Sequence, residues 1–180
     1  MRLGVTSFDQ RQTIMMKIGV LSDTHGYLDD RMFHHFDQCD EIWHAGDLGT
    51  IALADKIAAF RPFRAVYGNI DGQDVRAQFS EHARFSAEGL EVWMTHIGGY
   101  PPRYTPAMLA ALRKNPPDIY VTGHSHILRI ISDPTLGNLL HINPGAAGKH
   151  GFHKVRTLVR LDIDDKKISN VQVIELGKRA

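Results

Sequence analysis

The sequence predicts an α/β fold in which two mixed β-sheets pack together. Three observations carry this. Early in the chain, short apolar runs alternate with amphipathic stretches in the order strand-helix-strand-helix-strand. In the second half, strands come instead in adjacent pairs joined by turn residues, which points to antiparallel pieces. No repeat, low-complexity block or Pro/Gly/Ser linker divides the 180 residues, a length that suits one core.

"KIGVLS" (17–22) reads as a short buried strand. In "DDRMFHHFDQC", Met32, Phe33 and Phe36 recur at helical spacing. "EIWHAG" is a second strand, closed by Gly46. "TIALADKIAAF" is a helix with Thr50 suited to the N-cap, and Ile51, Leu53, Ala54, Ile57 and Ala58 lie on or near one face. "FRAVYG" is a third strand, closed by Gly68. "ARFSAEGLEVWMTH" reads as two strands about Glu88-Gly89. "GGYPPRYTP" is a flexible, aromatic-bearing loop that would shape access beside His96, with Arg103 near a phosphate or solvated. "TPAMLAALRKN" is a helix with Thr105 as N-cap and Pro106 at its first position. "DIYVTG" is a strand closed by Gly123, "HILRIISDPTLGNLLHINPG" a hairpin about residues 134–138, and "RTLVRLDID" with "ISNVQVIEL" a last pair.

Residues 17–180 are expected to form one domain. Residues 1–16 read as an N-terminal extension, either disordered or upstream of a true start at Met15 or Met16, and they lack the apolar core of a signal peptide. Hydrophobic residues at 43% and charged residues at 23% are ordinary for a globular protein. A net charge of +1 supplies no basic field for general nucleic-acid binding. The lone Cys39 cannot close an intrachain disulfide, which fits a reducing, cytoplasmic setting, with a disulfide-free periplasmic protein as the alternative. No apolar run is long enough to span a bilayer, so no membrane partner is expected.

Five strands deliver polar residues just past their C-terminal ends. They are Asp23-Thr24-His25, Gly46-Asp47, Gly68-Asn69-Ile70-Asp71, His96 and Gly123-His124-Ser125-His126. In open α/β sheets that edge is where ligands bind. Each group alone reads as a cap or a turn; all five at the same kind of position do not. If the chain is extended there, His124 and His126 point the same way. Asp23, His25, Asp47, Asn69, His96, His124 and His126 offer imidazole, carboxylate and amide donors without thiolate, which suits Mn, Fe, Zn, Co or Ni. Seven donors are too many for one ion and right for two sharing a bridge, an arrangement that activates water and clamps a phosphate.

The series "DTH", "GDL", "GNID", "TH", "GHSH" and "INPGA", in that order, resembles the motifs of the calcineurin-like metallophosphoesterase superfamily. It is most similar to the small prokaryotic phosphodiesterase branch, and the same fold occurs in the retromer subunit Vps29. The likeness runs from about Lys17 onward. It implies a four-layer αββα sandwich. It also implies one metal on Asp23, His25 and His126, a second on Asn69, His96 and His124, and Asp47 as the bridge. Two divalent transition-metal ions, Mn before Ni, Fe, Zn or Co, would then hydrolyse a small phosphodiester by in-line attack of a bridging hydroxide. A homo-oligomer is compatible with this.

Two positions depart from the pattern. Where the superfamily carries a His after the motif-three Asn, and small prokaryotic members a Cys, this chain has Ile70, which cannot donate a proton. Ile97 also intervenes where a Gly often follows the motif-four His. Asp71 matches an acidic family position, as an orienting residue beside the ligands or as a turn former with Gly72. "INPGAAGKHG" could offer backbone N–H groups and Lys149 to a phosphate, or form a glycine-rich turn. His34 and His35 read as surface residues of a helix, His82, His141, His150 and His153 have no ligand spacing, and His44 reads as a packed strand residue in preference to one that supports the ligands. The competing functions are a Vps29-like interaction scaffold, which would not need the full donor set, and a phosphomonoesterase, which the donor set does not distinguish. A nuclease has no charge excess to support it.

Overall fold

In the computed structural model of the protein, residues 15–179 are described. Residues 1–14 of the expected N-terminal extension lie outside them. Strand β1 (Met16–Leu21) begins at Met16, which pairs with Ile163, because the apolar alternation continues one residue upstream of Lys17.

Alternation along the strands sets the layers. In β1, Ile18 and Val20 face one way and Leu21 the other. Strand β2 (Glu41–His44) does the same, with Trp43 inward and Ile42 outward. Helix α1 (Arg31–His35) precedes β2, and α2 (Ile51–Ala58) links it to β3 (Phe63–Ala65). Both connections are right for parallel pairing, and β1, β2 and β3 are parallel neighbours. After β3 come α3 (Gln73–Gln78), β4 (His82–Ala87) and β5 (Leu90–Thr95). Next are β6 (Gly99–Tyr100), β7 (Arg103–Tyr104), α4 (Pro106–Lys114) and β8 (Ile119–Val121). The chain closes with β9 (Arg129–Asp133), β10 (Leu139–Asn143), β11 (Val155–Asp164) and β12 (Lys167–Lys178).

Two five-stranded sheets result, ordered β12-β11-β1-β2-β3 and β4-β5-β8-β10-β9. Each holds three parallel strands extended by antiparallel ones. Ile18, Val20, Trp43 and Val159 of the first sheet pack against Val92, Met94, Ile119, Val121 and Ile142 of the second. Outside the first sheet, Leu21, Ile42 and Leu158 bury Met32, Leu53, Ile57 and Val75 from α1, α2 and α3. Outside the second, Trp93, Tyr120 and Leu139 cover Met108 and Leu112 of α4. This is the αββα sandwich that the resemblance implied. Gly19 is required by one close approach: a Cβ there would sit 2.7 Å from the Phe36 ring, which lies directly on β1. No helix among the described residues is long and apolar enough to cross a membrane.

Both anticipated N-caps form: Thr50 accepts the Leu53 N–H at 3.3 Å, and Thr105 accepts that of Met108. Nothing in the residue pattern announces α3, which buries only Val75 and so shows no periodicity. The segment around Pro101-Pro102, which reads as loop, pairs as β6 and β7 with two residues to a strand.

His141 on β10 is fully buried, with Nε2 2.9 Å from the Thr122 hydroxyl and Nδ1 without a partner among the described residues. Burial pushes its pKa down to about 4. Between the ordinary value near 6.5 and that value, the unfolded chain binds the proton and the folded chain does not, so stability falls as pH falls. From pH 7 to pH 5 the loss is about 2 kcal/mol. Urea denaturation at the two pH values should resolve it, and His141→Phe should shrink the difference by about that amount, leaving the share contributed by buried His44. A pH response equal in both proteins would count against the assignment.

Candidate metal centre

Both sheets point their parallel strands' C-terminal ends at one edge of the sandwich. The first sheet brings Asp23 and His25 after β1, Asp47 after β2 and Asn69 after β3. The second brings His96 after β5, and His124 and His126 after β8. The loops after β1 and β2 remain bonded beyond their strands, through His25 N–H to Asp47 O at 2.9 Å and Gly26 N–H to Leu48 O at 2.7 Å.

Five of these side chains leave a left-handed backbone: Asp23 (φ 54°), His25 (48°), Asp47 (57°), His124 (67°) and His126 (58°). Each such conformation costs about 1–2 kcal/mol for a residue with a Cβ, and Asp, Asn and His bear it best. The expectation that an extended chain aims His124 and His126 alike is corrected here. The left-handed turns send His124 toward Asn69 and His126 toward Asp23.

Donor atoms gather in two groups. One ligand atom from each of Asp23, His25, Asp47 and His126 lies within 4.8 Å of the others. His126 Nε2 is 3.1 Å from Asp23 Oδ1, and His25 Nε2 is 3.4 Å from His126 Nε2 and 3.6 Å from Asp47 Oδ2. In the second group, Asn69 Oδ1 is 2.9 Å from His124 Nδ1 and 3.2 Å from His96 Nε2, which is 3.2 Å from Asp47 Oδ2. Asp47 is common to both. Ligand atoms about 2.1 Å from one cation at right angles to each other are separated by about 3 Å, so these spacings fit a metal. Gly68 makes room for the carboxylate, since a Cβ there would lie 2.0 Å from Asp47 Oδ1.

The tautomer of His96 supports the same fit. Its Nδ1 is 2.7 Å from the Ala45 carbonyl, which can only accept, so Nδ1 carries the proton. The neutral ring then turns a bare Nε2 toward two oxygens, Asp47 Oδ2 and Asn69 Oδ1. Three acceptors facing one another need a proton or a cation between them. Burial lowers the His96 pKa, but Asp47 and Asp23 outweigh it and hold the group above its ordinary value. Burial likewise pushes the Asp47 carboxyl up, and His96, the Ile70 N–H and His25 more than reverse this. His25 and His124 are both lowered, chiefly by burial.

Residues outside the donor set hold the loops. Asp71, 4% exposed, accepts the Gly68 and Leu48 N–H groups at 2.7 and 3.2 Å on Oδ2 and that of Gly49 at 2.7 Å on Oδ1. It thereby ties the Asn69 loop to the Asp47 loop. Arg76 of α3, which sequence reading missed, donates to the carbonyls of Asp71, Gly68 and Asn69. Asn143 holds the histidine loop, donating to Gly123 O and Ser125 Oγ while accepting from Gly145 N–H. His44 is more than a packed strand residue. Burial drops its pKa to about 3, so it is neutral; Nδ1 accepts the Gly46 N–H and Nε2–H donates to Thr24 at 2.9 Å.

An open cleft of about 470 Å³ sits over the donors. His150 and His153 line it, which sequence spacing could not reveal because a loop folds them back. Their rings lie 4.9 Å from His25 and 5.2 Å from His126. The "INPGAAG" segment resolves as a structural turn. The N–H groups of Gly145, Ala147 and Gly148 bond to Asn143, Ser22 and Asp23, and Lys149 sits over the Tyr27 ring.

Comparison with known proteins agrees with this geometry. Residues 16–166 match the model of the calcineurin-like phosphoesterase superfamily domain. A probable metallophosphoesterase of Methanothermobacter thermautotrophicus is 27% identical over 169 residues, covering 90% of this chain and 94% of that protein. One from Mycoplasma pneumoniae is 29% identical over 167 residues, covering 87% and 96%. Among solved structures, an archaeal phosphodiesterase superposes with a TM-score of 0.72 at 22% identity, covering 89% of this chain and all of that one. Vps29 of Entamoeba histolytica, complexed with zinc, gives 0.70 at 18% identity, covering 89% and 98%. With the family model matched across most of its length and the Asp/His cluster at its strand ends, this chain belongs to the calcineurin-like phosphoesterase superfamily.

Proposed function

We propose that the protein is a binuclear metal-dependent phosphodiesterase acting on small diesters. The observation that carries this is the pair of donor groups sharing Asp47. Asp23, His25 and His126 would hold one ion, Asn69, His96 and His124 the other, and Asp47 both. Two such cations activate water and neutralise phosphoryl oxygens. Imidazole with carboxylate and amide oxygen suits Mn²⁺, Fe²⁺, Co²⁺, Ni²⁺ or Zn²⁺, and the family resemblance puts Mn²⁺ first.

The chain's own groups do the rest. The Ala45 carbonyl fixes the His96 tautomer and aims Nε2 at the site. The His124 N–H, 3.2 Å from both Asp23 oxygens, orients that carboxylate. Ile70 lines the cleft where a proton donor would otherwise stand. Ile70 itself cannot protonate a leaving group, so esters of acidic alcohols should turn over fastest. The Vps29 likeness keeps a scaffold role as the alternative, and since that neighbour is itself complexed with zinc, turnover rather than metal content separates the two.

The test joins metal content to turnover. Protein purified without chelator should carry about two transition-metal ions per chain. With Mn²⁺ it should cleave bis-p-nitrophenyl phosphate faster than p-nitrophenyl phosphate, and His124→Ala should lose most of this. Absence of metal uptake and of turnover with Mn²⁺ or Ni²⁺ supplied would sink the proposal.

A further inference from the structure

The cleft over the donors has an uneven character. Its lining includes Ile70, Ile127 and Phe152, which are 45%, 55% and 105% exposed. Among the described residues no lysine or arginine lines it. Three nearby cations are committed elsewhere: Lys149 lies over Tyr27, Arg129 over Tyr100, and Arg76 donates to loop carbonyls. Large side chains exposed together beside a polar centre mark a binding surface. Here that surface is continuous with Asp47, Asn69, His124 and His126.

We infer that Phe152, Ile70 and Ile127 form a seat for an uncharged aromatic or apolar group carried on the phosphate of the substrate. This rests on the phosphoesterase reading and narrows its substrate class. Volume supports it, because about 470 Å³ far exceeds what a phosphate needs and is in the range of small-molecule sites. Charge supports it as well. A second phosphate or a polynucleotide backbone would call for arginine or lysine in the lining, whereas a ring needs only apolar area and an aromatic face. Phe152 offers that face unencumbered, on a loop whose flanking His150 and His153 also line the cleft.

The experiment uses two diesters that break the same bond, phenyl p-nitrophenyl phosphate and methyl p-nitrophenyl phosphate, with Mn²⁺. Each kcat/KM is divided by the rate of the uncatalysed hydrolysis, which removes intrinsic reactivity. The phenyl ester should be favoured about tenfold, the scale of one well-placed aromatic contact. Phe152→Ala should bring the preference within about twofold of unity, and Phe152→Trp should keep it. Phe152→Trp also reports binding without turnover: its fluorescence should respond to phenylphosphonate at several-fold lower concentration than to methylphosphonate. Turnover of both esters without preference, or a preference untouched by Phe152→Ala, overturns the seat and leaves the hydrolase reading standing. A fluorescence preference without turnover of either ester supports the seat and overturns the hydrolase reading.

Discussion

Asp47→Asn should lower kcat/KM for a diester by on the order of 10³-fold or more while leaving the fold intact. Asparagine has the same shape, tolerates the left-handed backbone at φ 57°, and keeps an oxygen for the Ile70 N–H at 3.1 Å. What it removes is the charge that faces His25 on one side and His96 on the other. If that carboxylate serves both ions, both affinities fall together. Thermal unfolding gives a second reading of the same change. Mn²⁺ at about 100 times its Kd should stabilise the native protein by roughly 2.7 kcal/mol, a rise of about 5–10 °C for a chain of this size. In Asp47→Asn the rise should shrink to a small fraction of that. Wild-type turnover and an undiminished Mn²⁺ shift in the variant would remove Asp47 from the centre of the site.

Asp71→Ala should be costly for a different reason. It strands the backbone N–H groups of Leu48, Gly49 and Gly68 beside a side chain closed to solvent. At about 1–3 kcal/mol for each buried group left unpaired, the loss is roughly 3 kcal/mol or more. The loops that carry Asp47 and Asn69 lose their common tie, so metal affinity should fall about 10–100-fold. Asp71→Asn should be intermediate, because its amide keeps one acceptor and turns a donor toward another donor. A Mn²⁺ titration separates positioning from mere stability. Unchanged affinity in a folded Asp71→Ala protein would leave Asp71 a structural residue only.

Much of this was legible in the residues. Glycines at 46, 68 and 123 end apolar runs, so the strands and their polar tips can be placed from periodicity and punctuation alone. The seven residues so named lie at one edge, because strand direction and sheet order bring those tips together. Other features left no trace that a pattern could expose. Helix α3 buries a single side chain and so repeats nothing, and β6 and β7 have two residues each, too few to show an alternation. The divergence of His124 and His126 depends on φ, which sequence does not carry for a residue other than glycine. His150, His153 and Phe152 reach the cleft by loop closure, a tertiary outcome with no local spacing.

The donors come from both sheets, Asp23, His25, Asp47 and Asn69 from one and His96, His124 and His126 from the other. An ion held as proposed would therefore also be a rivet through the sandwich. The apolar layer between the sheets is non-directional and would permit them to slide, whereas the 3.1 Å and 3.2 Å spacings across the seam, Asp23 to His126 and Asp47 to His96, would not. On the proposed ligand set, affinity for metal would measure how faithfully the two sheets are registered, and a core substitution far from the cleft would weaken the site by shifting one sheet against the other.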